Sequence, residues 1–202
     1  MVLQKESRKR GREPLIICIG GMAGSGKSTL AKKIAEKYNL RYFSGGDALM
    51  TLAIEEGYKP LQSGWWESRK GIQFLEERSR DPRFDQTVDK RLLGEAEKGN
   101  VVLDSWTMPW LLKKGYKIWL EASVEKRAER IAQRDGIGFK KAIEALRRKE
   151  RHTRDIYKKI YGFNLGEDFD PFDFILDIGT LDAEEVFHTV CLVIDNVVFP
   201  KE

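Results

Sequence analysis

The segment Gly21-Met-Ala-Gly-Ser-Gly-Lys-Ser28 joins a continuous apolar run, Leu15-Ile-Ile-Cys-Ile19, to a helical pattern. That pattern runs from Ser28 to Tyr38 and keeps Leu30, Ile34 and Ala35 on one side. The apolar run reads as a parallel strand covered on both faces. The junction matches G-x-x-x-x-G-K-[ST] at every fixed position. Its glycines tolerate positive φ and leave room for the backbone to wrap a phosphate. Successive N–H groups then point inward, and the helix adds its positive end. Gly21, Met22, Ala23, Gly24, Ser25, Gly26, Lys27, Ser28 and Thr29 are therefore the expected ATP contacts. Lys27 would reach the β- and γ-phosphates, and the Ser28 hydroxyl would ligate Mg²⁺.

The rest of the chain repeats the alternation. Arg41-Tyr-Phe43 predicts a second strand, and Ser44 opens a helix through Leu49 and Ile54 that ends near Gly57. Residues 61–80 read as helix. Asp81-Pro82 is the expected N-cap and first residue of a helix that stops at Gly99. Val101–Asp104 and Lys117–Glu121 predict strands three and four, and a highly charged helical stretch covers 124–161. Phe174–Ile178 predicts strand five, and Ala183 to Val198 a closing helix. This order implies an α/β fold with right-handed crossovers and a five-stranded parallel sheet flanked by helices. Ligands then gather at the carboxyl ends of the strands. Residues 14–202 read as one domain, with an acceptor region at about 44–99 and a lid region at about 124–161.

Composition narrows the setting. Over 202 residues, 34% charged and 41% hydrophobic side chains suit a globular core. No apolar run approaches the ~20 residues needed to span a bilayer, and Met1–Pro14 lacks the apolar stretch of a signal peptide. A soluble, cytoplasmic protein without a membrane partner is expected. The net charge is +4. Lys5, Arg8, Lys9, Arg10 and Arg12 against Glu6 and Glu13 put most of it in residues 1–13, read as a flexible basic tail. Nucleic acid is therefore not the expected partner. Cys18 and Cys191 lie in apolar segments, as buried reduced thiols do. With only His152 and His188 besides, a catalytic metal must be a hard ion held by oxygen.

A phosphate loop serves motors, GTPases, transporters and kinases. The length argues against motors and transporters, and the guanine-reading N-K-x-D is absent. A small-molecule kinase must hold an acceptor and close positive charge over the transferring phosphoryl group. Arg127, Arg130 and Arg134 share a helical face. Gly136-Ile-Gly138 then breaks the helix before Arg147, Arg148, Arg151 and Arg154, which is the pattern of a closing lid. Glu150 and Arg154 are spaced to pair on a solvated face. Asp104 ends an apolar strand beside the phosphate loop. It could hold a Mg²⁺-bound water or take an acceptor hydroxyl's proton. Lys27, Asp104, Arg130 and Arg134 are the catalytic candidates, and Ser28 and Asp104 the metal candidates. Asp47 suits either an acceptor contact or the first turn of its helix. Trp65, Trp66, Trp106 and Trp110 flank the acceptor region, where an aromatic face could stack a planar group. Trp119 reads as core.

Several segments resemble the P-loop nucleoside monophosphate kinases, most closely the archaeal-type cytidylate kinases. Phe43-Ser-Gly-Gly-Asp47 resembles the family's segment after strand two, and Arg80-Asp-Pro-Arg-Phe-Asp-Gln-Thr-Val-Asp89 its R-D-P-x-[IF]-D-x-x-V-D segment. Arg127–Asp135 is similar to the lid arginine run, and Tyr157-Lys-Lys-Ile-Tyr-Gly162 to the segment that follows. The resemblance spans Leu15 to about Val198. It implies a P-loop kinase fold, ATP as donor, Mg²⁺, and CMP or dCMP as acceptor. Ser44, Asp47, Asp104, Trp106, Arg148, Arg151 and Arg154 are then the acceptor-side residues.

The departures from the family lie on the acceptor side. Met50 stands where related kinases carry an arginine for the acceptor's phosphate. Asp104-Ser-Trp-Thr-Met-Pro109 lacks the arginine of the strand-three segment, and Ile156 precedes Tyr157 where an arginine often stands. Met cannot replace a bidentate arginine–phosphate contact. Either other basic residues, such as Arg69, Lys70 or Arg83, take over, or the acceptor is unphosphorylated: a nucleoside, sugar or polyol. In the second case Asp104 and Asp47 become candidate bases. A third reading is a slow ATPase switch or assembly factor that binds RNA through the basic tail.

Overall fold

The computed structural model describes residues 14–60 and 65–198. The basic tail, residues 61–64 of the expected third helix, and residues 199–202 lie outside the described residues. Strands β1 (Ile16–Gly21), β2 (Arg41–Ser44), β3 (Val101–Asp104), β4 (Tyr116–Glu121) and β5 (Phe174–Asp177) form one sheet. Its order is β2-β3-β1-β4-β5, and every pairing is parallel. The helices are α1 (Lys27–Tyr38), α2 (Gly45–Glu55), α3 (Arg69–Arg80), α4 (Arg83–Glu97) and α5 (Met108–Leu111). They continue with α6 (Val124–Asp135), α7 (Phe139–Tyr161) and α8 (Ala183–Val193). The last of these runs on as a π-type turn over Ile194–Val198.

β1 carries the core because it is central and covered on both sides. Ile17, Cys18 and Ile19 are all fully buried, and they alternate between two clusters, as a pleated strand requires. Ile17 and Ile19 pack with Leu30, Ile34, Val190 and Cys191 under α1 and α8. Cys18 packs with Leu49, Phe74, Leu92 and Leu103 under α2, α3 and α4. Burial pushes the Cys18 thiol pKa up, so it stays protonated and inert. A smaller cluster of Ala128, Ile131, Ala142 and Leu146 joins α6 to α7.

Two elements differ from expectation. Residues 61–80 are not one helix: a short 3₁₀ turn at Trp65–Glu67 precedes α3. Ser68 caps α3, its Oγ accepting from the Gly71 amide at 3.1 Å. A Cβ on Gly71 would stand 2.0 Å from the Trp65 carbonyl oxygen, so only glycine lets the helix pack on the turn. After β3, the chain makes the extra helix α5, with Pro109 in its first turn.

The register puts Ile19, Asp104 and Ser44 level with one another. The chain ends of β1, β2 and β3 therefore open into the same crevice. There the connections diverge, since β1 leads out to the edge strand β2 while β3 crosses back to β4. Such a switch point is where open α/β sheets bind ligands.

Candidate active site

The phosphate loop leaves β1 and enters α1 at Lys27. Gly24 has φ 81°, and a Cβ there would lie 2.7 Å from the Arg127 carbonyl oxygen. The loop therefore packs on α6 only because that position lacks a side chain. Ala23, Gly24, Lys27 and Ser28 line a cavity of about 470 Å³, ample for small ligands. Met22 and Ser25 are buried, whereas Gly26 and Thr29 are exposed.

Lys27 Nζ stands 3.8 Å from Asp104 Oδ1 and 5.6 Å from the ring centre of Trp106. Trp106 Nε1 donates to the Gly21 carbonyl at 2.6 Å, which ties the loop after β3 to the phosphate loop. Asp104 is 3% exposed. Its Oδ2 accepts from the Tyr42 hydroxyl at 3.2 Å, while Oδ1 is buried without a hydrogen bond among the described residues. Burying such an oxygen costs free energy, and a hard cation or its water would satisfy it. Ser28 and Asp104 thus fit Mg²⁺ in donor chemistry. Among the described residues no group of three or more His, Cys, Asp or Glu could hold a metal. The ion would take its other ligands from phosphate and water.

The far end of the same cavity is built by other elements. Ser44 caps α2, its Oγ accepting from the Asp47 amide at 3.1 Å, and Ser44, Asp47 and Met50 line the wall. Trp65 and Trp66 form another side. Arg78, 2% exposed, forks onto Asp85 through Nε at 2.9 Å and Nη2 at 2.6 Å. Its Nη2 also donates to the Tyr157 hydroxyl at 3.1 Å. Asp89 accepts from the Thr107 and Tyr161 hydroxyls. Lys149, on α7, holds its ammonium 4.7 Å from the Trp66 ring centre and 5.8 Å from that of Trp106.

Burial pushes the Asp89 carboxyl pKa up to about 6, against the pull of the Thr107 and Tyr161 hydroxyls. A carboxyl that binds its proton more tightly when folded stabilises the fold fully below its unfolded value. That contribution is lost as pH rises through the folded value. Between pH ~4 and ~6 this group should therefore cost on the order of 2–3 kcal/mol of stability. Asp89→Asn should flatten that part of the pH–stability curve. Urea unfolding of both proteins at pH 4.5 and 7 would test this, and identical pH dependences would refute it.

The arginines of the expected lid region divide by depth. Arg127 is 5% exposed and spent on structure. Its Nε donates to the Ala122 carbonyl and its Nη1 to the Ala23 carbonyl, both at 3.0 Å, and it pairs with Glu150. Glu150 therefore does not support Arg154 at i,i+4. Arg154 instead donates to the Leu165 carbonyl at 3.0 Å. Arg130 donates to the Ile178 carbonyl at 3.0 Å and does not line the cavity. Arg134 lines it, forked onto Asp135 at 2.7 and 2.6 Å. Arg148 and Arg151 are exposed, and neither they nor Arg154 line the cavity.

The other expected residues sort as clearly. Arg69 and Lys70 are exposed on α3, and Arg83 is held by Asp81 outside the cavity. None of them fills the place of the missing arginines. Trp110 stacks on Phe163 at 4.0 Å and does not line the cavity. Trp119 is core, as expected. Arg78, Asp85, Asp89, Tyr157 and Lys149 line the cavity without having been singled out as site residues. Asp85, Asp89 and Tyr157 fall inside the segments of family resemblance, Arg80–Asp89 and Tyr157–Gly162, whereas no sequence signal marked Arg78 or Lys149.

Comparison with known proteins decides the family. The pattern of the cytidylate kinase-like family matches residues 16–180. The cytidylate kinase of Methanocaldococcus jannaschii is 37% identical over 188 residues, which cover 91% of this chain and 99% of that protein. The chain belongs to the cytidylate kinase-like family. The cytidylate kinase of Pyrococcus horikoshii is 33% identical, over 92% of this chain and 91% of its own. Among solved structures, shikimate kinase from Bacteroides thetaiotaomicron aligns with a TM-score of 0.57 at 15% identity, over 92% of this chain and 99% of its own. Deoxyadenosine kinase from M. mycoides aligns at 0.52 and 16% identity, over 90% of this chain and 100% of its own. At such identities the structures speak for the fold alone, and it is that of P-loop kinases. As a family member the chain is a phosphotransferase acting on a nucleotide or other small molecule. No helix among the described residues is long and apolar enough to cross a membrane.

Proposed function

We propose that this protein transfers the γ-phosphoryl group of Mg-ATP to CMP or dCMP. The reading is carried by one continuous cavity that joins the phosphate-loop lysine to the polar and aromatic pocket of Arg78, Asp85, Asp89 and Trp66. The full-length likeness to cytidylate kinases supports it. An oxygen of the acceptor's phosphate attacks the γ-phosphorus, and the bond to the β,γ-bridging oxygen breaks, leaving ADP and a nucleoside diphosphate. No strong base is needed, because the attacking phosphate is already ionised. Lys27 follows the migrating charge, and Arg134 closes over it from α6. Mg²⁺, held through Ser28 and Asp104, would supply neutralisation of the β- and γ-oxygens. The buried pocket would recognise the base through its hydrogen-bonding edges.

One observation favours a second reading. Asp104 Oδ1 lies in the cavity wall without a hydrogen-bond donor, and a carboxylate there could take the proton of an unphosphorylated acceptor's hydroxyl. An acceptor panel separates the two. With Mg-ATP, ADP release should be fastest with CMP or dCMP among the four ribonucleoside monophosphates, free nucleosides, sugars and polyols. Turnover only with an unphosphorylated compound would overturn the first reading in favour of the second. Slow hydrolysis indifferent to every acceptor would overturn both.

A further inference from the structure

Asp104 serves the proposed reaction only if one of its oxygens faces the phosphate loop, and a short carboxylate at a strand end can turn about two torsions. Its neighbours must therefore fix its aim. Oδ1 stands 3.8 Å from Lys27 Nζ and is buried without a hydrogen bond among the described residues. Oδ2 accepts from the Tyr42 hydroxyl at 3.2 Å. Among the described residues, that hydroxyl is the one side-chain group hydrogen-bonded to the carboxylate.

The sheet explains why a residue of the edge strand reaches this oxygen. In the β2–β3 register Ser44 is level with Asp104, and Tyr42 with Val102. Tyr42 and Asp104 therefore project from the same face, one strand over and two residues apart. A phenol leaning along the strand bridges that step. Its ring packs against the core cluster of Val102, Leu30 and Ile34, and the Lys32 ammonium lies 5.4 Å from its centre. It lines the same cavity as Lys27, Ser28 and Asp104. Burial raises the Tyr42 pKa, and the charge of Asp104 adds to it, so the phenol keeps its proton and remains a donor. At 3.2 Å the bond is long for O–H···O, as catalytic contacts often are before substrate arrives. What it supplies is direction. With Oδ2 tied to β2, Oδ1 is the oxygen left facing Lys27.

We propose that Tyr42 is a positioning residue, whose hydroxyl holds Oδ2 of Asp104 so that Oδ1 is presented to the cation and phosphates of Mg-ATP. The inference rests on the reading that Mg-ATP is the donor and that Asp104 meets its cation, and it is indifferent to the acceptor. Tyr42 acts through Asp104 and not on the reacting atoms. Its ring contact with Lys32 is separate, and phenylalanine would keep it.

The test removes the hydroxyl alone. Calorimetry would measure the affinity of the β,γ-imido analogue of ATP with Mg²⁺ and with a chelator, in wild type, Tyr42→Phe, Asp104→Asn and the double variant. Steady-state kinetics would accompany it. Tyr42→Phe should shrink the gain in affinity that Mg²⁺ gives about fivefold, within the scale of one hydrogen bond to a charged group. Metal-free affinity should stay within about twofold. The kcat should fall about tenfold, with KM for the best acceptor unchanged. In Asp104→Asn the further change to Phe should do little, because the two residues act as one unit. An undiminished gain from Mg²⁺ in Tyr42→Phe would overturn the proposal. So would a loss shared equally by the metal-free analogue, or one that persists in full beside Asp104→Asn. Those results leave the kinase reading intact. A wild-type protein whose affinity for the analogue ignores Mg²⁺ would overturn the Mg-ATP reading and the proposal together.

Discussion

Lys27→Ala should lower kcat with Mg-ATP and the best acceptor on the order of 10³-fold or more, with the fold intact. The expectation comes from where the ammonium stands and how loosely it is held. At 3.8 Å from Asp104 Oδ1 it is beyond hydrogen-bonding distance, and it also lies over the face of Trp106. Neither contact must be broken at much cost when a phosphate arrives. Charge that grows in the transition state is stabilised most by groups already in place, within a cavity of reduced dielectric. Removing the lysine should therefore appear chiefly in kcat, with a smaller change in KM for ATP, since the amides of the loop still cradle the phosphates. Single-turnover kinetics with a melting curve would check this. A folded Lys27→Ala protein that keeps near-wild-type kcat would rule out the proposed mechanism.

The contrast between this residue and the acceptor side shows what a sequence can carry. The phosphate loop is contiguous, so its spacing alone encodes the strand, the turn and the helix start. The central strands were legible for a related reason: β1, β3 and β4 are short, largely apolar runs with buried residues, and Ile17, Cys18 and Ile19 are the clearest case. Helix α5 was not legible. Its four residues have no period to read, and its start leans on Ser105, whose Oγ accepts from the Thr107 and Met108 amides at 3.2 and 3.3 Å. The Arg78–Asp85 fork spans the break between two helices, where no fixed spacing predicts contact. Lys149 was hidden because arginines were counted along α7 without knowing which of its faces turns inward. Its neighbours Arg148 and Arg151 drew the attention and lie outside the cavity.

The same lesson separates Arg127 from Arg134, which share a helical face by spacing and yet serve different ends. Arg127→Met should cost about 3–5 kcal/mol of stability, the scale for removing one partner of a buried ion pair. It strands Glu150, which is 6% exposed, and it removes the donors of the Ala122 and Ala23 carbonyls. Ala23 lies in the phosphate loop, so ATP affinity should fall along with the melting temperature. Arg134→Ala should leave the melting temperature within a few degrees, because its side chain is largely exposed. Its cost should fall instead on kcat, since the residue lines the cavity and, in the proposed reaction, would meet the transferring phosphoryl group. Thermal melts and steady-state kinetics on both variants distinguish these outcomes. Equal losses of stability would mean that α6 acts as one rigid framework. A loss of kcat in Arg127→Met alone would place the lid's working charge two turns nearer the phosphate loop, with Arg134 reduced to partnering Asp135.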